Sequence, residues 1–86
     1  MVLSTIMKMR ALMYIVAECN NFKDPLKFID AISLHIRQDI PDTQRLIHQL
    51  SIEGCLDQHA VTGMFSPTKK GKDEAARFLR IVEQKI

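Results

Sequence analysis

The chain has 86 residues, 47% apolar and 26% charged, with a formal net charge of +2. These numbers describe one domain, residues 1–86, near the lower end of what folds alone, since so short a chain buries only roughly 60 to 65 percent of its unfolded surface. They exclude a disordered or low-complexity polymer, and a pI near 8.7 falls short of the basic excess that marks a nucleic-acid binder by charge alone.

The stretch from Met1 to Ala17 is rich in apolar residues but interrupted by Lys8 and Arg10. It lacks the unbroken run of a signal peptide or membrane helix, so a soluble, cytoplasmic protein with no membrane partner is expected. Ser4 is placed as the cap of a first helix running to about Asn20. Its apolar positions Ile6, Met7, Met9, Leu12, Met13, Ile15, Val16 and Cys19 cover more than one stripe. So wide a face needs more than one neighbour, and some of Met7, Met9, Met13 and Tyr14 stay exposed unless a second subunit or the C-terminal helix covers them. A homodimer through the first and the C-terminal helices is the assembly this predicts.

Asn20 to Pro25 reads as a turn, and Asp24 followed by Pro25 starts a second helix with a capping carboxylate and a proline at the first helical position. Leu26, Phe28, Ile29, Ile32, Leu34 and Ile36 continue it to about Arg37. The turn Gln38-Asp39-Ile40-Pro41 leads into a third helix beginning near Asp42, because the residue before a proline is pushed away from helical geometry. That helix carries Leu46, Ile47, Leu50 and Ile52 inward and ends at Gly54, which can take the left-handed conformation that finishes a helix.

Cys55-Leu56-Asp57 and about Gly63 to Ser66 are short strands around the Gln58 to Thr62 turn. Thr68 or Ser66 caps a fourth helix, in which Ala75, Ala76, Phe78, Leu79, Ile81 and Val82 give one packing face to about Lys85. The predicted class is mainly α with a small β-hairpin, in the order helix, helix, helix, hairpin, helix. Charge is unevenly spread: residues 41–68 carry a net of −2 and residues 69–86 a net of +3.

Cys19 and Cys55 have no C-x-x-C spacing and no nearby His pair, and are read as two buried reduced thiols rather than a metal site or a disulfide framework. His35, His48 and His59 lie on separate elements with no carboxylate or cysteine at ligand spacing. No Gly-rich phosphate loop, nucleophile elbow or paired-carboxylate arrangement appears, so no catalytic residue, metal or cofactor is assigned and an enzyme is not expected.

From about residue 25 to 82 the chain resembles the winged helix-turn-helix superfamily, in particular small bacterial and phage regulators of the multiple-antibiotic-resistance and PadR type. The recognition helix of that group commonly reads as a polar start, a branched apolar residue, an arginine two positions on, a Leu-x-x-x-Gly ending and a short apolar strand. Asp42, Thr43, Arg45, Leu50 to Gly54 and Cys55-Leu56 stand in those places. The group's Leu-Thr-x-x-Gly segment after the wing corresponds to Pro67-Thr68-Lys69-Lys70-Gly71, so Pro67 and Thr43 depart from the usual leucine and the usual branched apolar residue. Both changes suit the fold, since proline is tolerated at a strand end and the threonine methyl can pack.

The resemblance implies a DNA-binding transcriptional regulator whose partner is double-stranded DNA. Thr43, Gln44, Arg45, His48 and Gln49 would then face the major groove, where Arg can bond guanine and Gln adenine in bidentate fashion. Lys69, Lys70 and Lys72, beside the wing, are the candidates for phosphate contact. Winged helices also serve as protein-interaction modules, so a phage or plasmid accessory factor that docks on a protein partner without DNA is the alternative. The acidic balance of the third helix and wing supports that alternative.

Overall fold

A computed structural model describes the backbone from Val2 to Gln84 and the side chains from Thr5 to Glu83. Four helices and a two-stranded antiparallel hairpin follow in the expected order: α1 (Val2–Glu18), a short 3-10 turn (Cys19–Asn21), α2 (Pro25–Ile36), α3 (Ile40–Ile52), β1 (Leu56–Gln58), β2 (Phe65–Pro67) and α4 (Lys69–Gln84). The chain is therefore mainly helical with a small hairpin.

The helix starts follow local chemistry, with two corrections. Asp24 caps α2, its Oδ1 accepting from the Leu26 N–H at 3.0 Å ahead of Pro25. α3 begins at Ile40, two residues before the expected Asp42, because Asp39 is its cap and accepts from the Asp42 N–H at 2.9 Å. Pro41 then falls in the first turn, where its missing N–H would have had no partner in any case. α1 already runs at Val2, so the backbone of Ser4 is inside the helix and not at its cap; the Ser4 side chain lies outside the described residues, as does the expected end of α4 at Lys85.

α1 is the central element and touches every other helix and β2. Ala11, Leu12 and Ile15 are fully buried on it, and Met9 joins them. Met7, Met13 and Tyr14 are half-buried against the core, so the exposed apolar surface expected of those methionines is smaller than their number suggested. From α2 the core receives Phe28, Ile32 and Ile36, from α3 Ile47 and Leu50, and from the hairpin Leu56 and Phe65. Phe28 is the aromatic hub: its ring lies 4.8 Å from that of Phe22 and 5.1 Å from that of Phe65, both stacked, with Tyr14 at 6.2 Å.

Several apolar positions expected inside are not. Leu26 and Leu34 of α2 and Ile52 of α3 are exposed. Of the apolar positions expected on the packing face of α4, Ala75 is buried and Phe78 half-buried, while Ala76, Leu79, Ile81 and Val82 are exposed, so that face is much narrower than its composition. Cys55 is buried, whereas Cys19 is only half-buried, and both are free thiols. Burial raises the Cys55 thiol pKa, which keeps it protonated.

The hairpin pairs Leu56 with Pro67, Asp57 with Ser66 and Gln58 with Phe65, putting Leu56 and Phe65 on the core face. What fixes it to the helices is the junction of α3 with α4. Gly54, at φ +82°, finishes α3 in the left-handed conformation, and the Cys55 N–H returns to the Leu50 carbonyl at 2.9 Å. The Thr68 hydroxyl donates to the Gly54 carbonyl at 2.6 Å and accepts from the Gly71 N–H at 3.1 Å, capping α4 while holding it to the end of α3. Its backbone N–H bonds the Cys55 carbonyl at 2.9 Å. Gly71 lies so close to Cys55 that a Cβ there would be driven into the carbonyl oxygen and within 3.0 Å of the carbonyl carbon. Here the glycine is required by space, not by φ.

Two substitutions test this junction. Gly71→Ala gains roughly 1 kcal/mol of helix propensity yet is expected to lose about 2 kcal/mol net, because backbone must move aside. Thr68→Val keeps the shape and is expected to cost about 1 to 2 kcal/mol for the lost cap and bridge. Urea unfolding of both against Lys69→Ala, a neutral neighbour, is the measurement.

Candidate nucleic-acid interface

α2 and α3 are joined by only three residues, Arg37, Gln38 and Asp39. Arg37 closes α2 in the left-handed region at φ 58° and ψ 44°, its N–H returning to the Ser33 carbonyl. Among the described residues it is the one non-glycine with positive φ. This sharp turn leaves one flank of α3 outward, with Gln44, Arg45, His48 and Gln49 exposed.

Thr43 is not part of that face. It is fully buried, and its hydroxyl donates to the Asp39 carbonyl at 2.8 Å. The candidate assignment of Thr43 is therefore corrected: its methyl packs and its hydroxyl bonds back into the first turn of α3, a use that β-branched Thr shares with core residues. Arg45 is 82% exposed at the side chain and lies 3.4 Å from Asp42, one turn earlier. Gln49 donates to the Glu53 carboxylate at 3.0 Å, so its amide already has a partner. Gln44 and His48 remain, and they line an open groove of about 600 Å³ with Leu26 and Ile29 of α2 and Gln58 and Gly63 of the hairpin.

The lysines go elsewhere. Lys70 donates to the Glu53 carbonyl at 2.6 Å, at the C-terminal end of α3. Lys72 borders an apolar groove between α1 and α4, beside Met13 and Ala76. Lys69 is exposed at the start of α4. Arg45 and Gly54 are nine residues apart, roughly 13 Å along a helix axis, so the arginine near the middle of α3 and the lysine cluster past its C-terminal end are well separated. They do not make one basic stripe.

Glu53, one source of the acidic balance of this region, has a partner: its carboxylate accepts from Lys8 of α1 at 2.7 Å, a contact between residues 45 apart in sequence that no local pattern signals. Hydrogen bonds from Lys8 and then Gln49 hold the Glu53 carboxyl below its ordinary value of 4.5, against the opposing effect of desolvation. Sequence reasoning also missed Leu26, Ile29 and Gln58 as groove-lining residues, and Arg37 as the cation nearest in sequence to the start of α3. Only Arg37 had a signal: a long basic side chain where the helix-ending glycine would ordinarily stand.

Among the described residues no three His, Cys, Asp or Glu side chains come together as a metal site. Nor is any described helix long and apolar enough to cross a membrane. No family model, curated protein or solved structure matches the chain.

Replacing Arg37 with glycine removes the cost of a left-handed L-residue and is expected to raise stability by roughly 1 kcal/mol, read from the urea midpoint. The Lys8–Glu53 pair has a pH signature. Because the Glu53 pKa is depressed in the folded state, its contribution is present above about pH 4.5 and is lost as pH falls through the lower folded value. In Lys8→Met, stability at neutral pH is expected to drop by less than about 1 kcal/mol, with a shallower loss between about pH 5 and 3 than in the parent chain. Urea titrations across that range provide the check.

Proposed function

We propose that this chain is a winged helix-turn-helix transcriptional regulator of the cytoplasm that reads double-stranded DNA with the outward face of α3. The observation that carries the reading is the pair of helices joined by the three-residue turn 37–39, with Gln44, Arg45 and His48 exposed on the second helix and a hairpin following it. A turn of three or four residues between two helices is the geometry that sets a helix into a major groove. Arg45 is the guanine reader in this account and Gln44 the adenine reader. Arg37 and Lys69 supply backbone contact from the two ends of α3.

With so few cations, affinity for duplex DNA is low and steeply salt-dependent, each neutralised phosphate adding about 0.9 to the slope of log K against log salt. The test is fluorescence anisotropy with a random-sequence duplex, followed by selection of preferred sequences. Binding at about 50 mM salt that weakens at about 200 mM, with a slope reduced by about one in Arg37→Ala, is expected. Arg45→Ala should relax base preference at one position by roughly 1 to 3 kcal/mol, and Lys72→Ala should leave binding by each chain unchanged. No binding near 50 mM salt by a folded chain sinks the reading.

The groove beside α3 favours one second reading, a protein-interaction module. Leu26 is 71% exposed at its edge, next to Ile29, and no charged side chain lines it. A stoichiometric protein partner that is lost with Leu26→Asp and kept with Arg45→Ala would favour that reading over DNA.

A further inference from the structure

α4 carries a stripe that none of the described residues covers. Lys72, Ala76, Leu79 and Glu83 recur at spacings of four, three and four residues, which places them along one side of the helix, and all four are exposed. Leu79 is 44% exposed. Beside it, Met13, Val16 and Ala17 of α1 and Ala75 and Ala76 of α4 wall an apolar dimple of about 330 Å³. A second dimple, of about 390 Å³, continues past Met13 between Ile6 and Arg10 of α1 and Phe78 and Val82 of α4. The apolar surface thus runs the length of the α1–α4 seam.

The order of the four residues says what fits. Laid antiparallel against a copy of itself about a two-fold axis level with the 77–78 peptide, the stripe sets Lys72 opposite Glu83 of the copy and Ala76 opposite Leu79. Each leucine then meets the small residue that leaves it room, in the dimple beside Ala76. On the flank facing away from α1, Asp73 and Arg80 fall two residues out of register with each other's copies, an offset of about 3 Å at the helical rise. That makes a second opposite-charge pair on each side of the axis. Among the described residues none of Lys72, Asp73, Arg80 or Glu83 has an ion pair within its own chain. A parallel arrangement would stack Lys72 on Lys72 and Glu83 on Glu83, so the charges select the antiparallel one.

We infer that the α4 stripe, with the α1 dimple beside it, is a self-association surface: two copies pair antiparallel through α4, with Leu79 seated against Ala76 and Lys72 paired to Glu83 across a two-fold axis. Such an interface is isologous, so every contact occurs twice. It rests on α1 and α4 and is independent of whether α3 reads DNA.

Sedimentation of the full chain, without nucleic acid, tests it. The parent chain is expected to dimerise reversibly. Lys72→Glu and Glu83→Lys should each weaken the dimer by roughly tenfold, because a reversal acts at both symmetry-related pairs. The double variant Lys72→Glu with Glu83→Lys should recover the parent affinity. A one-to-one mixture of the two single variants should associate more tightly than either alone, since both pairs become opposite in sign only in the mixed species. Leu79→Asp, checked for native helicity by circular dichroism, should be monomeric. A parent chain that stays monomeric to on the order of 0.1 mM, or a dimer indifferent to both reversals and to their mixing, overturns the inference.

Discussion

The contact on which the rest of the structure depends is the near-touching of Gly71 and the Cys55 carbonyl. The N–H groups of Glu53, Gly54 and Cys55 return to the Gln49, Ser51 and Leu50 carbonyls in the last turn of α3, and the carbonyls of Glu53, Gly54 and Cys55 then need partners from elsewhere. Here the start of α4 supplies them: Thr68 serves Gly54 through its hydroxyl and Cys55 through its N–H, and Lys70 serves the Glu53 carbonyl. One helix start therefore caps another helix end. β1 and β2 leave from and return to this same point, so the hairpin is short because both of its roots are fixed together.

That junction also determines what charge is left for a ligand. Lys70 is used in closing α3, and Lys8 is held by Glu53. In the first half of α3, Arg45 lies against Asp42, and the capping carboxylate of Asp39 is close by in sequence. The outward face of α3 is thus nearly neutral, with Gln44 and His48 over a groove whose walls are largely apolar. On the DNA reading, selectivity would come from base-edge hydrogen bonds more than from phosphate attraction, because phosphate contacts position a protein without telling sequences apart. A reader so weakly charged gains more from acting as two linked copies than from any one added cation, since linking makes the second binding event intramolecular.

The parts of this arrangement legible in the sequence are those with local chemistry. Asp24-Pro25, Gly54 and Thr68-x-x-Gly71 each mark a boundary through groups within a few residues of one another, and the structure has a boundary at each. Ile40 is helical although it precedes a proline, because the cap at Asp39 outweighs the steric bias of that position. Thr43 is polar yet buried, because its hydroxyl is satisfied by a carbonyl one turn back. Leu26 and Ile52 point the other way: they are apolar in amphipathic helices yet exposed, since burial is decided by which neighbour arrives and not by the helix itself. The Lys8–Glu53 pair joins the first helix to the end of the third, and no spacing rule reaches so far.

The same constraint explains why α4 is so incompletely buried. Packing the start of α4 onto the Cys55 backbone demands Gly71, and one turn on, Ala75 is the residue that lies buried against α1. A helix held that close contributes small side chains to the core over its first two turns, and its one large inward residue, Phe78, is only half-buried. Leu79, Ile81 and Val82 fall where the helix has passed the hairpin, beyond the reach of α2 and α3. Exposed apolar surface along α1 and α4 is therefore a consequence of the tight junction, and a second copy, bringing the same stripe in reverse order, is the cover that its Lys72 to Glu83 charge sequence fits.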